Sequence, residues 1–356
     1  MTSKYIFYID FDGTLANTSE LSPGGWNVIN AYEASIKDIF GDVGLTIYKD
    51  DLGGLKNRAP SEIIYLLLQK GQEKNLRDEL IRSAEIFYSA HQEQLEGLMS
   101  EGLGASFAYD TEEEIQERVI AELLVRQKLS KLIPEIGERF SDGRTWPEPF
   151  PGVIEFLNQM STRNQDKISL IILTSGHDNF IRRTLKTWSV PDDHIHILSE
   201  DAIRGMSLPE QMWLRAKPGP LPMVLAYGDE LNRQDRDETA WREQGLLTDR
   251  QHLIIAPLVD DVQTLIIGDD PKNDGGQVLI AGSFAWFNPS LKESSNPADT
   301  GIVFTDWYAL TNLLNSSKSR KGIIEGRPIM EILTNQISRE SEGVRLYGVT
   351  REMSRG

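Results

Sequence analysis

Lys4-Tyr5-Ile6-Phe7-Tyr8-Ile9-Asp10-Phe11-Asp12-Gly13-Thr14-Leu15 stands at the start of the chain. Its first half is apolar, aromatic and β-branched, the composition of a short strand buried on both faces of a parallel sheet. Two carboxylates, two residues apart, follow directly. At the C-terminal end of a strand in an open α/β sheet such acids face the crevice where ligands bind, and a glycine after them lets backbone amides approach an anion. A plain Asp-Gly turn with no further role is the alternative, and this stretch alone does not separate the two.

Outward from it, the chain changes character twice. From about Trp26 to Phe140 the apolar residues fall at helical spacing, as in Leu80, Ala84 and Phe87, and Thr111-Glu-Glu-Glu114 has the form of a capping box. From Pro151 the pattern is βα again. A helix near Gly152–Met160 precedes a strand at Ile168–Thr174, and further strands are expected at His194–Leu198, Leu265–Ile267, Val278–Ala285 and Ile302–Phe304. Alternating strands and helices predict an α/β fold, a Rossmann-like, doubly wound parallel sheet, with the helical stretch inserted after the first strand. The expected division is a core of residues 1–16 and 149–316, an all-helical insertion over 17–148, and a C-terminal extension over 317–356.

Composition limits the chemistry. The 356 residues suffice for one large domain or two of ordinary size. With no cysteine, disulfides, zinc-thiolate sites, iron-sulfur clusters and a thiol nucleophile are excluded, so a metal would need oxygen or histidine ligands. The formal net charge of −17 works against nucleic acid and anionic membrane as partners. Tyr5–Ile9 is too short for a signal-peptide core, and no stretch approaches the roughly 18 apolar residues of a membrane span, so a cytoplasmic protein is the expectation. The last forty residues carry eight Lys or Arg against five acids. They are expected to form a loosely docked or disordered extension with one short amphipathic helix at Pro328–Leu333, a basic arm for a partner being the sharper alternative. The charge-dense Tyr227–Gly245 stretch reads as a solvated helix or loop.

Three more constellations carry candidate chemistry. Leu173-Thr174-Ser175-Gly176 ends a buried strand just before a helix, where hydroxyls and free amides can hold phosphate, or merely cap the helix. Lys217 sits in Ala216-Lys-Pro-Gly-Pro220, a context that fixes its backbone in extended geometry. Leu265-Ile-Ile-Gly268-Asp269-Asp270-Pro-Lys-Asn-Asp274-Gly275 is another apolar strand ending in glycine and acids. Its hard oxygen donors suit Mg²⁺, and the spacing is wrong for an EF-hand calcium loop.

In order, these elements form an acid pair, a Thr-Ser, a Lys and an acid cluster. That order resembles the haloacid dehalogenase superfamily of phosphohydrolases, whose four motifs match Asp10–Thr14, Thr174, Lys217 and Gly268-Asp269. Pro151-Gly-Val153 resembles the lead-in of phosphoglycolate-phosphatase-like members, and the likeness covers about residues 4–20 and 148–316. It implies a Mg²⁺-dependent phosphatase acting on a small phosphorylated metabolite. Asp10 is then the nucleophile that forms an aspartyl-phosphate and Asp12 the acid and base. Asp10, Asp269 and the Asp12 carbonyl hold Mg²⁺, and Gly13, Thr14, Thr174, Ser175 and Lys217 bind phosphate.

Two departures qualify the likeness. Asp274 lies five residues after Asp269 and four after Asp270, so either of the adjacent pair can be the metal ligand; Asp269 is favoured because it follows Gly268, which leaves Asp270 and Asp274 a supporting role. The segment from Pro218 to Thr264 is longer than the simple connection usual between the lysine and the fourth motif. Aspartate at position 12 argues against dehalogenase chemistry. The 17–148 insertion stands where the superfamily places a helical cap; Lys56 and Arg58 are candidate contacts to the leaving group, with plain solvated charge the favoured reading of both. A phosphomutase and a non-enzymatic binding or regulatory protein are the alternatives. Substrate identity, a protein partner and the oligomeric state are not specified by the sequence.

Overall fold

The computed structural model describes residues 5–18, 27–54, 60–76, 79–80, 147–163, 167–174, 176, 178–192, 195–199, 263–271, 274–275, 283–289, 301–337 and 343–347. A seven-stranded sheet organises them. In chain order its strands are β1 (Tyr5–Ile9), β4 (Ile168–Leu173), β5 (Ile195–Leu198), β6 (Gln263–Gly268), β7 (Ser283–Phe287), β8 (Gly301–Phe304) and β9 (Val344–Tyr347). Their spatial order is β5-β4-β1-β6-β7-β8-β9. The first six run parallel, and β9 pairs antiparallel with β8 at the edge. This is the α/β, Rossmann-like arrangement the strand spacing implies.

β1 is buried along its whole length, as a central strand flanked by β4 and β6 must be. After β1 the sheet grows outward through β4 and β5, then returns to the other side of β1 and grows through β6, β7 and β8. The direction of growth therefore reverses between β1 and β6. A crevice opens at the C-terminal ends of strands at such a switch, and this is where an open α/β sheet receives its ligand. Alternate residues Phe7, Ile9, Leu265, Ile267, Ala285 and Phe287 turn to one core, while Ile6, Tyr8, Ile266 and Phe284 are buried on the opposite face.

Residues that follow β1 leave and return through a two-stranded ribbon, β2 (Ala16–Asn17) against β3 (Glu148–Pro149). Between them lie α1 (Val28–Thr46), a π-helical turn (Ile47–Asp51) and α2 (Pro60–Glu73). Asn27 caps α1 reciprocally with Asn30, and Gly41, at φ 70°, bends it. The capping-box pattern at Thr111–Glu114 lies outside the described residues. α3 (Val153–Arg163) precedes β4 and α4 (Asp178–Thr187) follows it, at the places where helices were expected. None of the described helices is long and apolar enough to cross a membrane.

Beyond α5 (Trp307–Asn315), the described part of the C-terminal extension, 317–337 and 343–347, is docked rather than loose: α6 (Ser317–Glu325) and α7 (Ile329–Thr334) succeed one another, and β9 then joins the sheet. Ile323, Ile329, Ile332, Leu333 and Val344 are all buried, and the Tyr5 hydroxyl donates to the Arg327 carbonyl at 2.7 Å. The net positive charge of the segment pointed to a solvated tail because it weighted the exposed faces. The apolar residues at helical spacing, Ile323, Ile329, Ile332 and Leu333, decide the matter by burial.

Candidate active site

The first acidic loop is built onto the end of β1. The Asp10 amide donates to the Ile267 carbonyl at 2.8 Å, so the β1–β6 pairing continues one residue past the strand and sets Asp10 beside the β6 end. Phe11 is fully buried, stacked on Trp188 and edge-on to Phe180 with centroids 6.0 Å away in both cases. That anchor between the two acids fixes where each can point. The turn closes through Leu15 and Ala16 amides donating to the Phe11 carbonyl at 3.0 and 2.9 Å.

Gly13 contributes space rather than a free amide. Its N–H donates to the Ala16 carbonyl at 2.9 Å, so the amide expected to meet phosphate is committed to the turn. Its φ is +83°, a conformation that L side chains rarely adopt, and a Cβ there would stand 2.5 Å from Asp269 Oδ2. Thr14 likewise serves the carboxylates. Its buried hydroxyl lies 3.1 Å from Asp10 Oδ2 and 3.1 Å from Asp269 Oδ1. One hydroxyl proton spans two acceptors, and the loops of β1 and β6 are thereby joined.

The second acidic loop follows β6. Asp269 is exposed, Asp270 half-buried and Asp274 buried. The Asp270 amide donates to Asp274 Oδ2 at 3.2 Å, while the Asp274 amide returns a bond to the Asp270 carbonyl at 2.8 Å. This ring folds Asp274 back under the strand end. A Cβ at Gly268 would lie 2.2 Å from Asp274 Oδ2, so only glycine leaves room for the fold-back. Asp10, Asp269 and Asp274 consequently offer oxygens that all lie within 4.8 Å of one another.

Such a cluster can hold a metal ion. Like charges about 4 Å apart repel by ~1 kcal/mol in water and ~4 kcal/mol near a protein surface. The exposure of Asp269 places this cluster toward the lower figure. The repulsion is relieved by a cation, and three hard oxygen donors with open positions for water and phosphate suit Mg²⁺. Asp269, favoured from the sequence, is in the group, and Asp274 rather than its neighbour Asp270 stands with it. The length of the fold-back, not the motif spacing alone, selects Asp274.

On the β4 side, the Thr174 amide bonds the Leu198 carbonyl at 3.1 Å, and the Gly176 amide donates to Thr174 Oγ1 at 2.9 Å. A Cβ at Gly176 would stand 3.2 Å from Thr174 Oγ1 and 3.4 Å from Asp12 Oδ2, which puts Thr174 and Asp12 side by side across the crevice. Asp10, Asp12, Thr14, Thr174, Asp269 and Asp274 are therefore gathered at the C-terminal ends of three adjacent strands. Ser175, Lys217, Lys56 and Arg58 lie outside the described residues.

Two residues that no motif announces hold the loops. Trp286 Nε1 donates to the Asp269 carbonyl at 3.0 Å and Trp307 Nε1 to the Thr14 carbonyl at 3.1 Å. Trp286 near a strand end and Trp307 at the start of a helix both read from sequence as core, and nothing in their spacing marks the carbonyls they reach.

No protein-family model matches the sequence, and no curated relative matches it. Among solved structures the chain is similar to a putative HAD-hydrolase, YfnB, of Bacillus subtilis bound to magnesium, with 16% identity over 89% of this chain and 100% of that one, at a TM-score of 0.36. A HAD phosphatase of Thermococcus onnurineus shows 15% identity over 88% and 98%, at a TM-score of 0.39. A 2-haloacid dehalogenase of Pseudomonas syringae shows 18% identity over 88% and 98%, at a TM-score of 0.39.

Proposed function

We propose that this chain is a phosphohydrolase of the haloacid dehalogenase type, cleaving a small phosphorylated metabolite through an aspartyl-phosphate on Asp10. The observation that carries the reading is the convergence of Asp10, Asp269 and Asp274 beside Asp12 and Thr174 at the sheet's switch point. A bound Mg²⁺, held by the three carboxylates with the Asp12 carbonyl, would offset charge between the anionic nucleophile and the anionic substrate.

In this mechanism an Asp10 carboxylate oxygen forms a bond to phosphorus while the bond from phosphorus to the leaving oxygen breaks. The protonated Asp12 gives its proton to that oxygen as it departs. Asp12, now a carboxylate, takes a proton from water; the water oxygen bonds to phosphorus, the Asp10–phosphorus bond breaks, and phosphate leaves. Thr174 Oγ1 would donate to a phosphoryl oxygen in this reading, and Lys217 is the cation the sequence supplies for the others. An acid at position 12 has a task in this cycle and none in attack on a carbon–halogen bond, which favours phosphoryl transfer. The helices between β2 and β3 are proposed as a cap that excludes water during transfer.

Phosphate release from an aryl phosphate and a panel of metabolite phosphates, with Mg²⁺ and then with chelator, tests the reading. Release that requires Mg²⁺ and disappears in Asp10→Asn is expected. Release that survives the substitution removes Asp10 from the nucleophile role, and silence across the panel removes the phosphatase assignment.

A further inference from the structure

The two loops that carry the carboxylates are each held from outside by an indole. Trp286, at the end of β7, is in register with Gly268 and donates to the main-chain carbonyl of the next residue, Asp269, at 3.0 Å. Trp307, the first residue of α5, donates to the Thr14 carbonyl at 3.1 Å. Thr14 and Asp269 are the two ends of the hydroxyl bridge that joins the loops. The indoles therefore grip both sides of the joint, one on each.

Both rings are firmly seated. Trp307 is fully buried, with its centroid 4.7 Å from Phe156 and 5.2 Å from Phe304, and Gly152 at φ +88° leaves room for its Cβ, which would lie 3.1 Å from a methyl at that position. Trp286 is 6% exposed. A buried indole N–H requires an acceptor, and packing that fixes the ring also fixes the acceptor's position. Each ring thus transmits the rigidity of the sheet to a main-chain atom next to the cluster. The need for it is electrostatic: three carboxylates within 4.8 Å repel and would spread apart on mobile loops.

We propose that Trp286 and Trp307 are positioning residues that hold Asp269 and Thr14 so that the three carboxylates stay convergent before a cation binds. The inference rests on the metal-site reading given under Proposed function. Groups that orient metal ligands typically change metal affinity by roughly 10-fold to 100-fold when lost.

Mn²⁺ binding to the full chain, followed by the loss of the free-ion electron paramagnetic resonance signal, tests this without turnover. Trp286→Phe and Trp307→Phe are expected to raise the Mn²⁺ Kd about 10-fold, and saturating Mn²⁺ is expected to restore most of kcat. Benzothienylalanine at position 286 keeps the ring and removes the N–H donor; the same weakening there assigns the effect to the hydrogen bond rather than to packing, and decides the case if Trp307→Phe does not fold. Tyr5→Phe, which deletes another, partly buried bond to a main-chain carbonyl at the opposite end of β1, is expected to leave the Kd unchanged. Wild-type affinity in the benzothienylalanine protein overturns the inference alone. Failure of the wild type itself to bind Mn²⁺ overturns the metal reading and this inference with it.

Discussion

The turn after β1 and the loop after β6 both carry acids, yet they are made differently. The first is internally closed: Phe11 is fully buried, three turn amides are paired within residues 11–16, and Phe150 adds a bond from its amide to the Leu15 carbonyl at 3.0 Å. The second is anchored by the Asp270–Asp274 ring and Trp286 while its leading acid, Asp269, is exposed. On the proposed reading the difference is one of support: the turn that carries the nucleophile closes on itself, whereas the loop that brings further metal ligands is held by the Asp270–Asp274 ring and, from outside, by Trp286.

The largest effect that sharpens this contrast is expected at Asp10. Asp10→Asn keeps the size of the side chain and removes the nucleophile, so turnover should fall by about 10³-fold or more with the fold retained, as circular dichroism would check. Asp12→Asn should cost about 10² to 10⁴ in kcat, the span of acid–base catalysis, and should flatten the pH–rate profile; a small loss with an unchanged profile would break the assignment.

Asp274→Asn acts on the loop after β6 and should appear as weakened Mg²⁺ activation rather than a lost maximal rate. In chelator the sign reverses for stability. Removing one of three mutually repelling carboxylates should raise the melting temperature by the equivalent of about 1 kcal/mol, and added Mg²⁺ should stabilise the wild type more than the variant. Thermal unfolding with and without Mg²⁺ reads both directions, and equal responses of the two proteins would mean that Asp274 is no ligand.

The smallest expected effect lies away from both loops. Tyr5→Phe removes the 2.7 Å bond to Arg327 and should cost about 1 kcal/mol of stability. Burial pushes the Tyr5 hydroxyl up to about 12, and burial with Glu33 nearby pushes Tyr48 up to about 12 as well. Both folded values exceed the unfolded value of 10.0, so the stabilising contribution is full below pH 10 and is lost as pH rises toward 12. Denaturant midpoints measured across that window should fall steeply in the wild type and less steeply in Tyr5→Phe.

The strands and their acids were legible because each is a local signal: a continuous apolar run ending in Asp or Thr names both a buried parallel strand and the position that faces the crevice. That rule puts Asp10, Asp12, Thr174 and Asp269 at the crevice, and the order of the four motifs, not any one of them, suggests their roles. The role of Thr14 and the commitment of the Gly13 amide did not follow, since both depend on where β6 ends relative to β1, a tertiary relation with no trace in residues 10–15. Asp274 was visible as an acid, but its partnership with Asp10 required the fold-back beneath Gly268. Trp286 and Trp307 gave no signal beyond hydrophobicity. The tail was misread as loose because charge was counted over forty residues, when Ile323, Ile329, Ile332 and Leu333 supply the apolar stripes that dock it.

A single-turnover reaction of an aryl phosphate in ¹⁸O-labelled water, with enzyme in excess, tests the central claim most directly. Attack of water on phosphorus, the route argued for this site, places the label in the released phosphate and none in the peptide that carries Asp10. Label appearing in the Asp10 carboxylate would mean that water attacks the carboxyl carbon of the intermediate, as cleavage of an ester to carbon requires, and would contradict the account.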